Sequence, residues 1–122
     1  MLKTFTKQKI YFASEAVDFR MSIDGLSQLV SDNKKTHLHD GSIYVFYNKQ
    51  RNKIKCLFWD KNGFVLYYKR LENLQFKFKK MTHNLESISH EELEIILSGY
   101  DYSKTERLEY IEDKKAWITE LH

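Results

Sequence analysis

The cations of the chain are concentrated in its middle third, among aromatic residues. Residues 41–80 carry eight Lys and two Arg against two carboxylates, Asp60 and Glu72. Because cations neutralise phosphates and exposed rings stack on bases, this composition favours binding to a nucleic acid. A solvated sheet edge guarded by lysine would give the same pattern, and the acidic last third of the chain could neutralise the cations internally. The candidate nucleic-acid contacts are Lys49, Arg51, Lys53, Lys55, Lys69 and Arg70.

A His-x-His pair, His37 and His39, lies in a polar stretch and is followed by Asp40. Two imidazoles on one side of an extended loop could supply two of the ligands of a metal site. No second cluster supplies the remaining ligands, so a solvated loop explains these residues better. We expect no metal and no other cofactor.

Catalytic groups have no positive support in the sequence. Cys56 lies inside an expected strand, where a small buried side chain is the better interpretation than a nucleophile. Asp18, Asp24 and Asp60 could be imagined as a carboxylate set for phosphoryl chemistry, but Asp18 suits a helix cap and Asp60 a hairpin entry. The chain contains no glycine-rich phosphate loop, nucleophile elbow or His-Glu-x-x-His motif. We therefore expect no catalytic residue.

Hydrophobic periodicity predicts an α+β domain that places the cations on a sheet. A short strand is expected over residues 9–13 and a helix over 19–33, with Asp18 as its N-cap. Residues 42–79 then read as a four-stranded antiparallel β-meander joined by short turns and packed against that N-terminal helix. Its predicted strands are 42–47, 54–60, 64–71 and 74–79.

The second turn of this meander carries the Asn-Gly signal of a tight hairpin, at Asn62 and Gly63. We expect Gly63 to supply a positive φ there. We also expect Trp59, beside the hairpin, to anchor the sheet core.

C-terminal helices follow the sheet. Ser89 and Glu92 have the spacing of a capping box, and Gly99 suits a helix end, which predicts a helix between them. A last helix is expected over 103–121. The domain division is therefore a single domain over 1–100 and an acidic helical extension over 101–122.

Composition excludes several protein classes. Apolar residues make up 42% and charged residues 30% of the 122 residues, as in a globular protein. No apolar run approaches the roughly 18 residues of a membrane span, and the first residues lack the apolar core of a signal peptide. A single cysteine cannot form an internal disulfide. These features predict a cytoplasmic protein.

Several stretches together resemble the TnpB accessory-protein family encoded by the second reading frame of bacterial insertion sequence sixty-six type elements. The similarity covers roughly residues 9–100. Its most specific parts are Trp-Asp-x-x-Gly within residues 55–64 and Lys-Arg-Leu-Glu at the end of residues 66–72. Residues 18–26, Asp-Phe-Arg-Met-Ser-Ile-Asp-Gly-Leu, and residues 43–46 match as well.

The chain departs from the family pattern at three places. Ser22 stands where a glycine is usual, and residues 48–53 form a less basic turn than the family's Arg-rich one. Phe78-Lys79 replaces a Trp-Pro pair. The acidic tail from residue 100 onward has no match in the family pattern.

The resemblance implies a non-catalytic accessory factor for DNA transposition. In one hypothesis it binds the DNA of the element ends through a basic sheet face. In the alternative it is a protein-interaction module that docks on the transposase without contacting DNA. Neither hypothesis involves a membrane.

Overall fold

A computed structural model of the chain describes residues 8–33 and 36–99. They form a five-stranded mixed sheet with a helix on each face, and the strand order is β4-β3-β2-β1-β5. The elements in chain order are β1 (Ile10–Phe12), α1 (Ile23–Asp32), β2 (Ile43–Tyr47), β3 (Lys53–Asp60), β4 (Gly63–Arg70), β5 (Glu86–Ile88) and α2 (His90–Ser98). The predicted α+β class is confirmed.

Three strands of the predicted meander are present. Strands β2, β3 and β4 pair antiparallel in sequence order, and the β3–β4 register closes at Asp60 opposite Gly63. All five residues of β2 are buried, which makes it the central strand of the sheet.

The fourth predicted strand, residues 74–79, is wrong. That segment forms no ladder, although Phe76 and Phe78 are buried. The Phe78 ring packs 4.9 Å from Phe12 and 4.6 Å from Tyr47, measured between ring centroids. The period-two pattern thus reports alternate side chains inserted into the core, which does not require a hydrogen-bonded strand.

The predicted strand over 9–13 takes the open side of β2. Strand β1 pairs parallel with β2, with Ile10 opposite Ile43, and β5 pairs antiparallel with the outer side of β1. Strands β1 and β5 therefore extend the sheet beyond β2, on the side away from β4. The crossover between β1 and β2 contains α1, as a parallel connection requires.

The register assigns every strand side chain to one of two faces. We call the α1 face the side that carries Lys53, Lys55 and Tyr68, and the α2 face the side that carries Cys56 and Lys69. The Lys55 amine reaches backbone carbonyls just before α1. The Lys69 amine reaches the end of α2, so the two helices cover opposite faces.

The helix ends are set by local capping. Helix α1 is shorter than the predicted 19–33 and is capped by Ser22, whose hydroxyl accepts from the Ile23 N–H at 2.7 Å. Asp18 is therefore not the cap. Helix α2 has the expected capping box between Ser89 and Glu92, and Gly99 ends it in a left-handed conformation.

The roles expected for Trp59 and Gly63 are wrong. Gly63 is the first residue of β4, and the positive φ of the hairpin, 57°, belongs to Lys61. Trp59 lies outside the buried core and is partly exposed. Its ring packs edge-on against His39 at 4.6 Å and Phe64 at 5.0 Å, so it covers the hairpin end of the sheet.

The predicted last helix, 103–121, and the extension 101–122 lie outside the described residues. Within residues 8–33 and 36–99, no helix has the length and apolar character needed to cross a membrane.

Phe76 and Leu74 test how the segment after β4 is held. Phe76 is fully buried and Leu74 is 58% exposed. We expect Phe76→Ala to lower the free energy of unfolding by about 3–5 kcal/mol because it leaves a cavity. Leu74→Ala should change it by less than about 0.5 kcal/mol. Urea unfolding followed by circular dichroism measures both, and equal effects of the two variants would contradict this packing.

Candidate nucleic-acid interface

The turn between β2 and β3 is tied by a buried asparagine. The Asn48 Oδ1 accepts the backbone N–H groups of Asn52 and Lys53, both at 3.0 Å, and its Nδ2 donates to Asn52 Oδ1 at 2.6 Å. Arg51 adopts a positive φ of 60° within this turn. The turn therefore presents Lys49, Arg51 and Lys53 from an ordered backbone.

The segment after β1 brings another cation to the same place. The Val17 N–H donates to the Tyr47 carbonyl at 2.9 Å, which carries the chain past the end of β2. Asp18 then accepts three hydrogen bonds from the Arg20 guanidinium, including Nη2 to Oδ2 at 2.6 Å. These hydrogen bonds lower the pKa of Asp18 to about 2. The Arg20 side chain is 92% exposed, so it stays open to a ligand.

A groove of about 350 Å³ runs between these two segments. Three cations and one carboxylate line it, together with aromatic rings. We call it the basic groove; its lining residues are Val17, Asp18, Phe19, Arg20, Asn48, Lys49, Gln50, Lys53 and Tyr68. Arg20 and Tyr68 were not among the predicted contacts, although Arg20 stands in the Asp-x-Arg stretch on which the family resemblance rests.

Like charges face each other beside the basic groove. Lys53 lies directly opposite Arg70 in the β3–β4 register. Two cations at such positions repel each other, and an anion bound between them would relieve the repulsion. Arg70 already holds Glu72, with Nε to Oε2 at 2.9 Å, on an exposed surface where an ion pair contributes little.

Lys55 has a structural position. Its residue is 6% exposed, and its amine donates to the carbonyls of Phe19 at 3.0 Å and Met21 at 2.6 Å. The amine also lies 4.7 Å from the Phe19 ring centroid. Burial, and secondarily the charge of Lys53, lowers the pKa of Lys55. Its two hydrogen bonds join the sheet to the segment before α1.

Two other predicted contacts lie on the α2 face. The Lys69 amine donates to the Leu97 carbonyl at 2.7 Å, where a cation suits the negative end of α2, and burial lowers the pKa of Lys69. The Arg51 guanidinium lies 4.5 Å from the Phe78 ring centroid. The six predicted cations thus divide between the two faces, with Lys49 and Lys53 at the basic groove and Arg70 beside it.

The other chemical candidates are dispersed. Cys56 is fully buried, as expected, and burial raises the pKa of its thiol. Asp60 is at the hairpin end of β3, far from Asp18 at the opposite end. His39 packs on Trp59. Among the described residues, no three His, Cys, Asp or Glu side chains converge as metal ligands.

Comparison with known proteins gives a family match over most of the chain. A family model described as IS66 Orf2 like protein matches residues 8–107. The uncharacterized protein y4jC of Sinorhizobium fredii is 31% identical over 99 residues, covering 81% of this chain and 85% of that protein. Protein y4hO of the same organism, also uncharacterized, is 26% identical over 102 residues, covering 84% of this chain and 89% of its own. No solved structure matches the chain.

Substitution of Lys55 tests its structural role. Lys55→Met leaves two carbonyls without their donor, so we expect the free energy of unfolding to fall by about 1–3 kcal/mol. Lys53→Met, two residues away on the same face, should change it by less than about 0.5 kcal/mol. Urea unfolding of both variants is the measurement. An unchanged midpoint for Lys55→Met would show that its two hydrogen bonds do not hold the segment before α1.

Proposed function

The chain belongs to the IS66 Orf2-like family, which gives it an accessory role in transposition, and on that premise we propose that it acts without catalysis by binding the DNA of the element ends. The observation that carries this proposal is the basic groove. Its cations come from two separate segments, before α1 and between β2 and β3, that the fold brings to one end of the sheet.

The proposed phosphate contacts are the exposed cations at this end of the sheet. Arg20, Lys49 and Lys53 line the basic groove, and Arg70 lies opposite Lys53. Arg51, at the same turn, is a further candidate that also packs on Phe78. Lys55 and Lys69 are excluded from this set, because Lys55 is buried, Lys69 is half-buried and both amines donate to backbone carbonyls. Arg20 and Arg70 are also paired, but their side chains are exposed.

The electrostatic term of this binding is modest. Each neutralised phosphate of duplex DNA contributes about −0.9 to the slope of log K against log salt concentration. Four contacts would therefore give a slope of roughly −3 to −4. Such a protein binds measurably at low salt and weakly at high salt, which suits a factor that acts together with a transposase.

Docking on the transposase is the second candidate, and the β4 edge of the sheet favours it. Strand β4 is eight residues long and pairs only with β3 among the described strands. Val65 on this strand and Leu74 just after it are exposed apolar residues. An exposed edge strand with apolar side chains is a template for pairing with another chain.

A pair of double variants tests the DNA contacts with matched charge. Lys49→Gln with Lys53→Gln removes two cations at the basic groove. Lys9→Gln with Lys61→Gln removes two exposed cations at the opposite end of the sheet, about 25 Å away at 3.3 Å per strand residue. We expect the first pair to weaken binding to element-end DNA and to reduce the salt slope by about 2, because each phosphate contact contributes about 1. The second pair should leave the slope unchanged.

Fluorescence anisotropy with labelled duplex over a series of salt concentrations measures both slopes. Equal effects of the two pairs would show that net charge, and not the basic groove, governs binding. If the wild-type protein binds no DNA even at low salt, the DNA proposal is wrong. A pull-down with the transposase, comparing the wild type with Val65→Lys, then tests the edge of β4. Weaker capture of Val65→Lys would support docking at that edge.

A further inference from the structure

Tyr68 presents an aromatic ring at the wall of the basic groove. It is a large side chain near the end of the edge strand β4, and it is 49% exposed. It lies diagonally across from Lys53, since its direct partner on β3 is Lys55. Diagonal neighbours of this kind have side chains about 7–8 Å apart, within reach of one nucleotide.

The ring is held in place from the protein side. Phe19 contacts it edge-on, with centroids 6.1 Å apart and planes at 81°. The buried Lys55 amine lies 5.5 Å from its centroid. A ring fixed in this way loses little further freedom when a flat ligand stacks on its exposed part, so less entropy opposes binding.

Cations beside an exposed ring suit a nucleic acid whose bases are unpaired. In a duplex the bases are stacked on each other and cannot reach a ring on the protein surface, so a duplex would use the cations alone. In a single strand the base can turn onto the ring while its phosphate meets the cations. The volume of about 350 Å³ lies near the lower end of the range for small-ligand sites, which suits one nucleotide.

We propose that the basic groove binds an unpaired segment of DNA, with one base stacked on Tyr68 and the adjacent phosphates held by Lys49, Lys53 and Arg20. This inference rests on the proposed DNA-binding function and adds the form of DNA that the groove prefers. The Arg20 guanidinium offsets the charge of Asp18, so the net positive charge of the basic groove comes from Lys49 and Lys53, and the exposed Arg20 adds a hydrogen-bond donor.

Variants of Tyr68 test the stacked base. An oligonucleotide of twelve thymidines and a twelve-base-pair duplex serve as probes in fluorescence anisotropy at low salt. Tyr68→Phe keeps the ring and should bind the single strand as the wild type does. Tyr68→Ala should weaken single-strand binding by about 5- to 150-fold, the loss of one stacked base, and duplex binding by less than about twofold.

Two further variants control for folding and position. Tyr68→Leu keeps an apolar side chain against Phe19 but has no ring, and it should lose single-strand binding as Tyr68→Ala does. Val65→Ala shortens another exposed side chain of β4, on the α2 face, and should bind both probes normally. Thermal melting of each variant verifies that it is folded at the assay temperature.

The outcomes separate this inference from the proposed function. Loss of single-strand binding in Tyr68→Ala and Tyr68→Leu, with Tyr68→Phe and the duplex unaffected, supports the stacked base. If the Tyr68 variants bind the single strand normally while Lys49→Gln with Lys53→Gln still weakens the duplex, the stacked base is wrong and the proposed function stands. If neither probe binds the wild-type protein, both are wrong.

Discussion

The burial of strand β2 is the constraint on which the remaining structure depends. Its five residues, Ile43–Tyr47, are all buried, so both faces of the sheet must be covered and both of its edges paired. Helix α1 covers one face, and α2 with Phe78 covers the other. The segment that leads to α1 meets the β2–β3 turn where β2 stops, and the cations of these two segments line the basic groove.

Elements whose ends carry a local sequence signal could be predicted from the sequence. The β3–β4 hairpin follows from polar turn residues between apolar runs, and α2 follows from its capping box and final glycine. The position of β1 beside β2 has no local signal, because parallel pairing depends on a crossover whose packing is non-local. The strand prediction over 74–79 is wrong because the alternate burial of Phe76 and Phe78 has the same period of two as a strand.

Of the candidate site, the sequence predicts the part that the β2–β3 turn contributes. Lys49 and Lys53 follow from the cation-rich stretch. Strand alternation correctly places Lys55 and Cys56 on different faces of the sheet. Alternation cannot show that the segment before α1 covers Lys55. The carbonyls of Phe19 and Met21, which Lys55 contacts, are separated from it by 36 and 34 positions in the sequence. Arg20 was missed for the same reason. A long-range contact converts one cation into a structural residue and adds another to the groove.

The central claim is that this chain meets DNA at the end of the sheet where β2 stops. Amide chemical shifts of the protein, recorded by NMR during titration with a short DNA oligonucleotide at low salt, test it most directly. The account predicts that the largest shifts fall at residues 17–20, 48–53 and 68. Shifts concentrated at the opposite end, around Gly41 and Lys61–Gly63, or no shifts at all, would contradict it.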